Sequence, residues 1–349
     1  MFTLAELENV IPLVRASVPP TPQYAWPLLR AQTGVEVVVK HENHTPIGAF
    51  KVRGGIVYFD RLKRQRPQVR GIVSATRGNH GQSLAFAGAR AGVAVTIVVP
   101  RGNSKDKNAA IRSLGAELIE HGRDFDEAKK RALRIAAERN LEYAPTFHRD
   151  LVLGVATYAH ELFTALDDID VVYVPIGLGS AICGLIGTRD ALGRRTEVVG
   201  VVASGANAYR QSFSAGRVVA TRSALTFAAG MAVRVPDPTA LEVIQRGADR
   251  IIEVCDDEIA EAIRIIYKTT HNCVEGAGAA ALAGLMKERE QLRGRRAVVI
   301  VSGQNIDSAS LQTVLAGGTP QVSCKRKSGT PLGSRAEGFP AGNRTAAGM

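Results

Sequence analysis

Short runs of apolar, mostly β-branched residues alternate along this chain with stretches that carry apolar residues at helical spacing. Several runs are apolar almost throughout, as in strands buried on both faces of a parallel sheet. Two of the helical stretches, 124–140 and 257–272, have acidic residues in their first turn, which favours a helix start. The alternation predicts an α/β fold with mostly parallel sheets flanked by helices. The predicted strands are 35–42, 69–75, 94–100, 116–122, 170–175, 196–203, 250–255 and 297–301.

The size and charge of the chain limit the classes of protein to which it could belong. It has 349 residues, of which 45% are hydrophobic and 22% are charged, values close to those of globular proteins. This length fits two lobes that share one site better than one minimal domain. A net charge of +11 suits solubility and the attraction of anionic substrates and cofactors. Nucleic-acid binding is not expected, because no basic stripe interleaves with aromatic residues.

The cysteines and the apolar segments indicate a cytoplasmic protein without a membrane span. The four cysteines, at positions 183, 255, 273 and 324, form no CxxC pair. We interpret them as reduced thiols. The N-terminal segment lacks the charged start and apolar stretch of a signal peptide. The longest apolar run, 171–187, contains a proline and four glycines. It is shorter than the ~20 residues of a membrane helix, so a strand, a loop and a helix are predicted there.

The first motif that carries chemistry is HENHTPIGAFKVRGG, residues 41–55. A predicted strand ends near Glu42 and a helix is predicted from about Ala49, which places Lys51 in the first helical turn. The positive end of a helix disfavours a cationic lysine. Lys51 is therefore a candidate for a neutral, nucleophilic amine, although the pattern alone also fits a surface lysine.

The second motif is SATRGNHGQSLAFAGARAG, residues 74–92. A buried strand runs into a polar loop, and a helix follows. Open α/β sheets bind ligands beyond the carboxyl ends of their strands, where Thr76, Asn79, His80 and Gln82 would supply donors and acceptors. An ordinary capped turn is the alternative interpretation of this motif.

Two further motifs also follow the ends of predicted strands. In 174–187, a glycine-rich turn leads into a helix from about Ala181. Consecutive N–H groups at such a helix start suit a phosphate, and Ser180 could add a hydroxyl. The spacing does not match GxGxxG and the Walker lysine is missing, so neither a dinucleotide nor ATP is implied. In 297–305, a buried strand delivers Ser302 at its end, where a turn serine is the alternative.

Together the four motifs resemble those of the fold-type II pyridoxal-phosphate (PLP) enzymes, and most closely the serine/threonine dehydratase (threonine ammonia-lyase) family. The resemblance covers about residues 15–318. The family's motifs are Ser/Ala-Phe-Lys-x-Arg-Gly, Ser-x-Gly-Asn-His, a tetraglycine phosphate loop and Ser-Gly-x-Asn. They correspond here to residues 49–54, 76–80, 177–181 and 302–305. Weaker similarities lie at 125–132, 227–233 and 274–284.

The resemblance implies a two-lobed fold like that of the tryptophan synthase β subunit, with PLP in the cleft between the lobes. The large lobe is expected to comprise residues 1–64 and 151–319. The small, mobile lobe is expected to comprise residues 65–150. From about residue 320 the composition shifts to Lys, Arg, Ser, Gly and Pro, so the tail 320–349 is predicted to be disordered. A homo-oligomer is expected, as is common for enzymes of this size.

The resemblance also implies a role for each matching residue. Lys51 would hold PLP as a Schiff base and would later move the proton of the substrate's Cα. Phe50 would pack against the cofactor ring, Asn79 would bond the ring hydroxyl, and Ser302 would bond the pyridine nitrogen. The phosphate would lie in the loop formed by Gly177, Leu178, Gly179, Ser180 and Ala181. The substrate carboxylate would be held by Thr76, Asn79 and His80. Glu275 would lie near the site, with its role left open.

The implied reaction is β-elimination, in which a small β-hydroxy amino acid such as L-threonine or L-serine loses water and then ammonia to give a 2-oxo acid. A neutral serine beside the pyridine nitrogen makes the ring a weaker electron sink than an aspartate would, which favours β-elimination over transamination. A β-replacement enzyme of the cysteine-synthase type is the alternative, and His80, where those enzymes usually have threonine, argues against it. A non-catalytic protein that binds PLP or acts through its basic tail is a third reading.

The sequence departs from the family at several positions. Arg77 replaces a serine or alanine, so racemase activity is not expected. Arg77 either faces solvent or meets an anionic or bulky substrate group, which keeps 3-hydroxyaspartate and 3-phenylserine open as substrates. Ala203 stands where metal-dependent members have an acidic ligand, so no metal is expected. Leu178 and Ser180 interrupt the tetraglycine loop but keep its backbone N–H donors. Gly276 stands where the family usually has a proline.

Overall fold

The structure, a computed structural model, describes residues 1–322. Within this part, ten strands form two sheets, one of six strands and one of four. The strands are β1 (Gln23–Ala25), β2 (Glu36–His41), β3 (Gly71–Ala75), β4 (Ala94–Val99), β5 (Glu117–Glu120), β6 (Glu142–Tyr143), β7 (Val171–Pro175), β8 (Glu197–Ala203), β9 (Arg250–Val254) and β10 (Arg296–Val301).

Nearly all strand pairs are parallel. The larger sheet has the order β1-β2-β10-β7-β8-β9 and the smaller has the order β5-β4-β3-β6. Only the edge strand β1 pairs antiparallel, with β2. Since parallel neighbours need a crossover connection, most strands are joined through helices. The predicted α/β fold with mostly parallel sheets flanked by helices is confirmed.

Thirteen α-helices lie in the described part of the chain, along with short 3₁₀ turns at Ser204–Ala206, Ala229–Met231 and Arg289–Leu292. The helices are α1 (Leu4–Arg15), α2 (Pro27–Thr33), α3 (Lys51–Gln65), α4 (Asn79–Ala91), α5 (Lys105–Ser113), α6 (Phe125–Glu138), α7 (Arg149–Ala165), α8 (Ser180–Ala191), α9 (Ala208–Ala215), α10 (Pro238–Gly247), α11 (Asp256–Thr270), α12 (Gly276–Glu288) and α13 (Ser308–Leu315).

Local sequence signals explain where several of these elements begin and end. The side chain of Asp124 accepts a hydrogen bond from the backbone of Glu127 and so caps α6. Asp237 caps α10 in the same way, and Pro238 occupies the first helical position, where its missing N–H costs nothing. The inner strands of the larger sheet are rich in valine, and they are buried apart from the first residue of β2, β8 and β10. In β7 all five residues are buried. Such strands need helices on both faces of the sheet.

The eight strands predicted from the sequence are all present, with boundaries within two residues of the prediction. The sequence did not predict β1 and β6, which have three and two residues. The run 171–187 forms β7, a loop and the start of α8, as predicted. No helix among residues 1–322 is both long and apolar enough to cross a membrane. The predicted disorder of the tail, and Cys324, lie outside the described residues, apart from residues 320–322.

The smaller sheet is built from strands between residues 71 and 143, whereas every strand of the larger sheet comes from outside that range. The division into a small lobe, 65–150, and a large lobe remains a prediction that this arrangement favours. Each of the four motifs spans the carboxyl end of a parallel strand, namely of β2, β3, β7 and β10. The fold therefore brings residues that are far apart in sequence to the carboxyl ends of strands.

Candidate active site

Lys51 is the first residue of α3, in the first helical turn as predicted. The segment before it is held by the strand end that carries Ser302, since the backbone N–H of Phe50 donates to the Ser302 carbonyl at 3.2 Å. The Lys51 amine lies 3.4 Å from Ser180 Oγ and 4.8 Å from the centre of the Phe50 ring. Burial lowers the pKa of Lys51 to about 8, although the nearby Glu275 acts in the opposite direction. A lysine with such a pKa is partly neutral near pH 7.

The loop between β3 and α4 carries the second motif. The N–H of Gly78 donates to the hydroxyl of Thr76 at 3.1 Å. Asn79 opens α4, and no side chain caps that helix start. The Asn79 amide donates to Glu275 Oε1 at 2.5 Å and accepts from the amide of Asn305 at 2.8 Å. Glu275 and Asn305 therefore fix the orientation of the Asn79 side chain.

His80 is buried, with 7% of its surface exposed. Its Nε2 atom has no hydrogen-bond partner among the described residues, which is uncommon for a buried polar atom. Burial, and to a lesser extent the positive charge of Lys51, lower the pKa of His80 to about 3. The ring is therefore neutral at physiological pH, and His80 lines the cavity described below with one nitrogen free of hydrogen bonds.

The glycine-rich loop after β7 leads into α8, which begins at Ser180 without a side-chain cap. A Cβ on Gly177 would lie 2.3 Å from the carbonyl oxygen of Gly230, so only glycine fits there. The hydroxyl of Tyr209 donates to the Leu178 carbonyl at 2.9 Å and so stabilises the loop. The first N–H groups of α8 are thus available to an anion.

Ser302 follows directly after β10 and is buried, with 4% of its surface exposed. Its hydroxyl donates to the backbone carbonyl of Ala277 at 3.2 Å. A serine hydroxyl rotates freely about its Cα–Cβ and C–O bonds, so Ser302 can redirect this donor to a ring nitrogen placed beside it.

All of the residues predicted to form the site line one cavity of 770 Å³, a volume in the usual range for ligand sites. The residues brought together there are Phe50, Lys51, Thr76, Arg77, Asn79, His80, Gly177, Leu178, Gly179, Ser180, Ala181 and Ser302. The individual role of each one remains a prediction. Gln82, which was considered with the second motif, is buried on α4 and does not line this cavity.

Several other lining residues had no predicted role. Glu275, whose role was left open, is buried and forms an ion pair with Lys107 at 3.4 Å. The start of α6 adds Asp124, Asp126 and Lys129 to the walls of the cavity. The charged residues on α5 and α6 gave no signal in the sequence, because isolated charges on amphipathic helices are usually solvent-facing.

The site fits the cofactor that the sequence resemblance implies. The buried amine of Lys51 is available for covalent attachment, and the uncapped start of α8 provides backbone donors for a phosphate. The loop packs closely against the Gly230 backbone at Gly177, so that position must be glycine. Ser302 supplies a neutral hydroxyl near the opposite wall. Among residues 1–322, no three His, Cys, Asp or Glu side chains gather as they would around a metal ion.

Comparison with known proteins also supports the family resemblance that the motifs indicate. A family model described as pyridoxal-phosphate dependent enzyme matches residues 14–303. The L-threonine ammonia-lyase of Thermotoga maritima is 30% identical over 90% of this chain and 78% of its own length. The biosynthetic L-threonine dehydratase of Salmonella typhimurium is 32% identical over 84% of this chain, but the match spans only 58% of that protein. The processed threonine deaminase isoform 2 of Solanum lycopersicum has a TM-score of 0.82 and 30% identity, over 90% of this chain and 95% of that structure.

Proposed function

This chain belongs to the pyridoxal-phosphate-dependent enzymes, and from that premise we propose that it removes water and then ammonia from a small β-hydroxy amino acid. L-Threonine and L-serine are the simplest substrates of this kind, and the products are a 2-oxo acid and ammonia. The names of the similar proteins from Thermotoga and Salmonella support this choice. The observation that carries the proposal is the single cavity that collects Lys51, the loop at 177–181 and Ser302.

When bound, the cofactor withdraws electrons from the amino acid and so makes its Cα–H bond acidic. Lys51 is the group in the cavity that can take that proton. Its pKa of about 8 lets it accept a proton and release it again near neutral pH. The distance of 3.4 Å to Ser180 places the amine beside the loop proposed to hold the phosphate.

The remaining residues of the site orient the substrate. We assign the substrate's α-carboxylate to Thr76, Asn79 and His80, at the uncapped start of α4. The neutral His80 ring bonds the Pro145 backbone and leaves Nε2 as an acceptor, which can take a proton from the substrate's ammonium or hydroxyl group in a hydrogen bond. The carboxylate would instead meet the free backbone N–H groups at the start of α4. Ser302 is an uncharged partner for the ring nitrogen, and this favours loss of the β-hydroxyl over amino transfer.

Closure of the proposed small lobe, 65–150, would exclude water from the reaction. Helix α5 already contacts the proposed large lobe. Lys107 forms an ion pair with Glu275 at 3.4 Å, and the backbone N–H of Ser308 donates to Asp106 at 3.2 Å. We further propose a cytoplasmic homo-oligomer with an amino acid as its ligand and no nucleic-acid partner.

The test is the release of 2-oxo acid by the purified holoenzyme from L-threonine, L-serine, threo-3-hydroxyaspartate and 3-phenylserine. Lys51→Ala should abolish release. Lys63→Ala, on the same helix and outside the cavity, should match the wild type. Oxo acid from Lys51→Ala would refute the role of Lys51. A wild type that has the visible absorbance of bound cofactor but makes no oxo acid would refute β-elimination and favour β-replacement.

A further inference from the structure

The charged residues that line the cavity of 770 Å³ are not balanced by one another. Its walls contain five basic side chains and four acidic ones. The basic residues are Lys51, Arg77, Lys107, Lys129 and Arg234. The acidic residues are Asp124, Asp126, Asp237 and Glu275.

Most of these charges have partners inside the protein. Lys107 is paired with Glu275, and Arg234 is paired with Asp126. Asp237 accepts hydrogen bonds from the backbone at the start of α10, and Asp124 does the same at the start of α6. All four acidic groups are therefore engaged, two by ion pairs with other residues of the cavity and two by the backbone at the start of a helix.

Two cations of the cavity remain without a partner, apart from Lys51. The side chains of Arg77 and Lys129 form no hydrogen bond or ion pair with any residue in the range 1–322. Arg77 also borders an adjoining cavity of 440 Å³. Arg77 is exposed at the wall of the cavity, and Asp124 is the acidic group whose charge acts on it. Because a guanidinium stays charged in proteins, Arg77 is available to an anion that enters the cavity.

The cofactor and the α-carboxylate do not account for these two cations. The proposed phosphate site lies at the start of α8 and uses backbone donors. The proposed α-carboxylate site uses Thr76, Asn79 and His80. Arg77 directly precedes Gly78 and the start of α4, and Lys129 lies on α6. Both side chains line the same cavity.

We propose that the preferred substrate is a β-hydroxy amino acid whose side chain ends in a carboxylate, as in 3-hydroxyaspartate, and that Arg77 binds this second carboxylate with help from Lys129. The planar fork of arginine matches a carboxylate with two parallel hydrogen bonds. This inference rests on the proposed β-elimination for its kinetic test, but not for its binding test.

The kinetic test compares kcat/KM for threo-3-hydroxyaspartate with kcat/KM for L-threonine. The wild type should prefer the acidic substrate, and Arg77→Gln should lower the ratio about 10- to 100-fold, the usual range for a charge-assisted contact. Arg77→Lys should restore part of the ratio. Lys129→Gln should lower it only a few-fold, because a lysine is a point charge and lacks the two parallel hydrogen bonds that arginine offers a carboxylate. Lys130→Gln, the adjacent exposed residue outside the cavity, is the matched control and should leave the ratio unchanged.

Three outcomes would overturn the proposal. One is a wild type that prefers L-threonine or 3-phenylserine to the acidic substrate. Another is an equal loss for both substrates in Arg77→Gln, which would mean that Arg77 binds the α-carboxylate of every substrate. The third is an unchanged ratio in that variant.

A binding experiment separates this proposal from the proposed reaction. L-Aspartate and L-2-aminobutyrate have no β-hydroxyl to lose, and their binding to the holoenzyme can be followed by the change in its visible absorbance. Aspartate should bind the wild type at least about tenfold more tightly, and Arg77→Gln should remove the difference. Equal affinity of the wild type for the two ligands would refute the proposal even if elimination is observed. A clear preference for aspartate would support it even if no substrate is eliminated.

Discussion

The side chain of Arg53 is fully buried beneath the active site, two residues after Lys51 on α3. Its guanidinium binds two buried carboxylates at once: Nε lies 2.8 Å from Glu42 and Nη1 lies 2.7 Å from Glu161. Lys40 completes the cluster with a contact of 2.8 Å to Glu161. The cluster holds two positive and two negative charges, all nearly inaccessible to water. Arg53→Met would leave two buried carboxylates with Lys40 as their only cation.

Removing one partner from a buried ion pair typically costs about 3–5 kcal/mol, because the remaining charge stays unsolvated. Arg53 bridges two carboxylates, so we expect a loss of at least this size. At roughly 2 °C per kcal/mol for a chain of this length, the Tm of the holoenzyme should fall by about 6–10 °C. Arg64 lies on the same helix and pairs with Asp60 at the surface. Arg64→Met should therefore change Tm by no more than about 2 °C.

The pH dependence of the variant gives a second readout. Burial alone would raise the pKa of Glu161, but Arg53 and Lys40 hold it below its usual value. In Arg53→Met burial should dominate, and the pKa of Glu161 should rise above that of the unfolded chain. The native variant would then bind more protons than the unfolded state, so its stability should increase as the pH falls from 7 toward 5.

The assay is thermal unfolding of the wild type, Arg53→Met and Arg64→Met at pH 7 and at pH 5.5. If Arg53→Met melted within 2 °C of Arg64→Met at pH 7, the cluster would not contribute as the geometry requires. If the deficit of Arg53→Met grew at the lower pH, the assigned charges would be wrong.

Three further predictions concern the cavity itself. Gly177→Ala should weaken cofactor binding at least tenfold in a titration of the apoprotein, because the new Cβ would lie 2.3 Å from the Gly230 carbonyl oxygen. An unchanged affinity would refute the close packing of this loop. Tyr209→Phe removes the hydrogen bond to the Leu178 carbonyl. It should weaken cofactor binding about fivefold, which corresponds to about 1 kcal/mol of binding free energy. A Kd equal to that of the wild type would show that the loop does not depend on this hydrogen bond. His80, with a pKa of about 3 in the folded state, takes up a proton only on unfolding, so stability should fall as the pH drops from 6.5 toward 4. His80→Gln should flatten this slope in melting curves, and a slope as steep as that of the wild type would contradict the neutral state assigned to the ring.

The sequence was sufficient to predict the fold because the information lay in local patterns. Several of the predicted strands, such as β7 and β10, are almost continuous apolar runs, and these runs end at polar or glycine-rich segments. The strands β1 and β6 were missed because two or three residues cannot show a periodicity, and β6 pairs with β3 only over Ile72 and Val73. Tertiary pairing, rather than propensity, defines such short strands.

The candidate site was predictable for the residues that lie within motifs and not for their partners. Asn79 was singled out, but its contact with Glu275, 196 positions away, depends on how the two sheets are brought together. Arg53 lies in the lysine motif, yet its partner Glu161 is 108 positions away on α7, and nothing near Glu161 marks it as buried. Ion pairs between distant elements are a property of the packed structure, so the sequence gives their charges but not their pairing.

The most direct test of the whole account is to locate the bound cofactor on the chain. The holoenzyme would be reduced with borohydride and digested, and its peptides would be analysed by mass spectrometry for the added pyridoxyl phosphate group. The account predicts that the group is attached to Lys51, with Lys40 and Lys107 unmodified. Modification of another lysine at comparable yield, or the absence of any modified peptide from a protein purified with the cofactor, would contradict it.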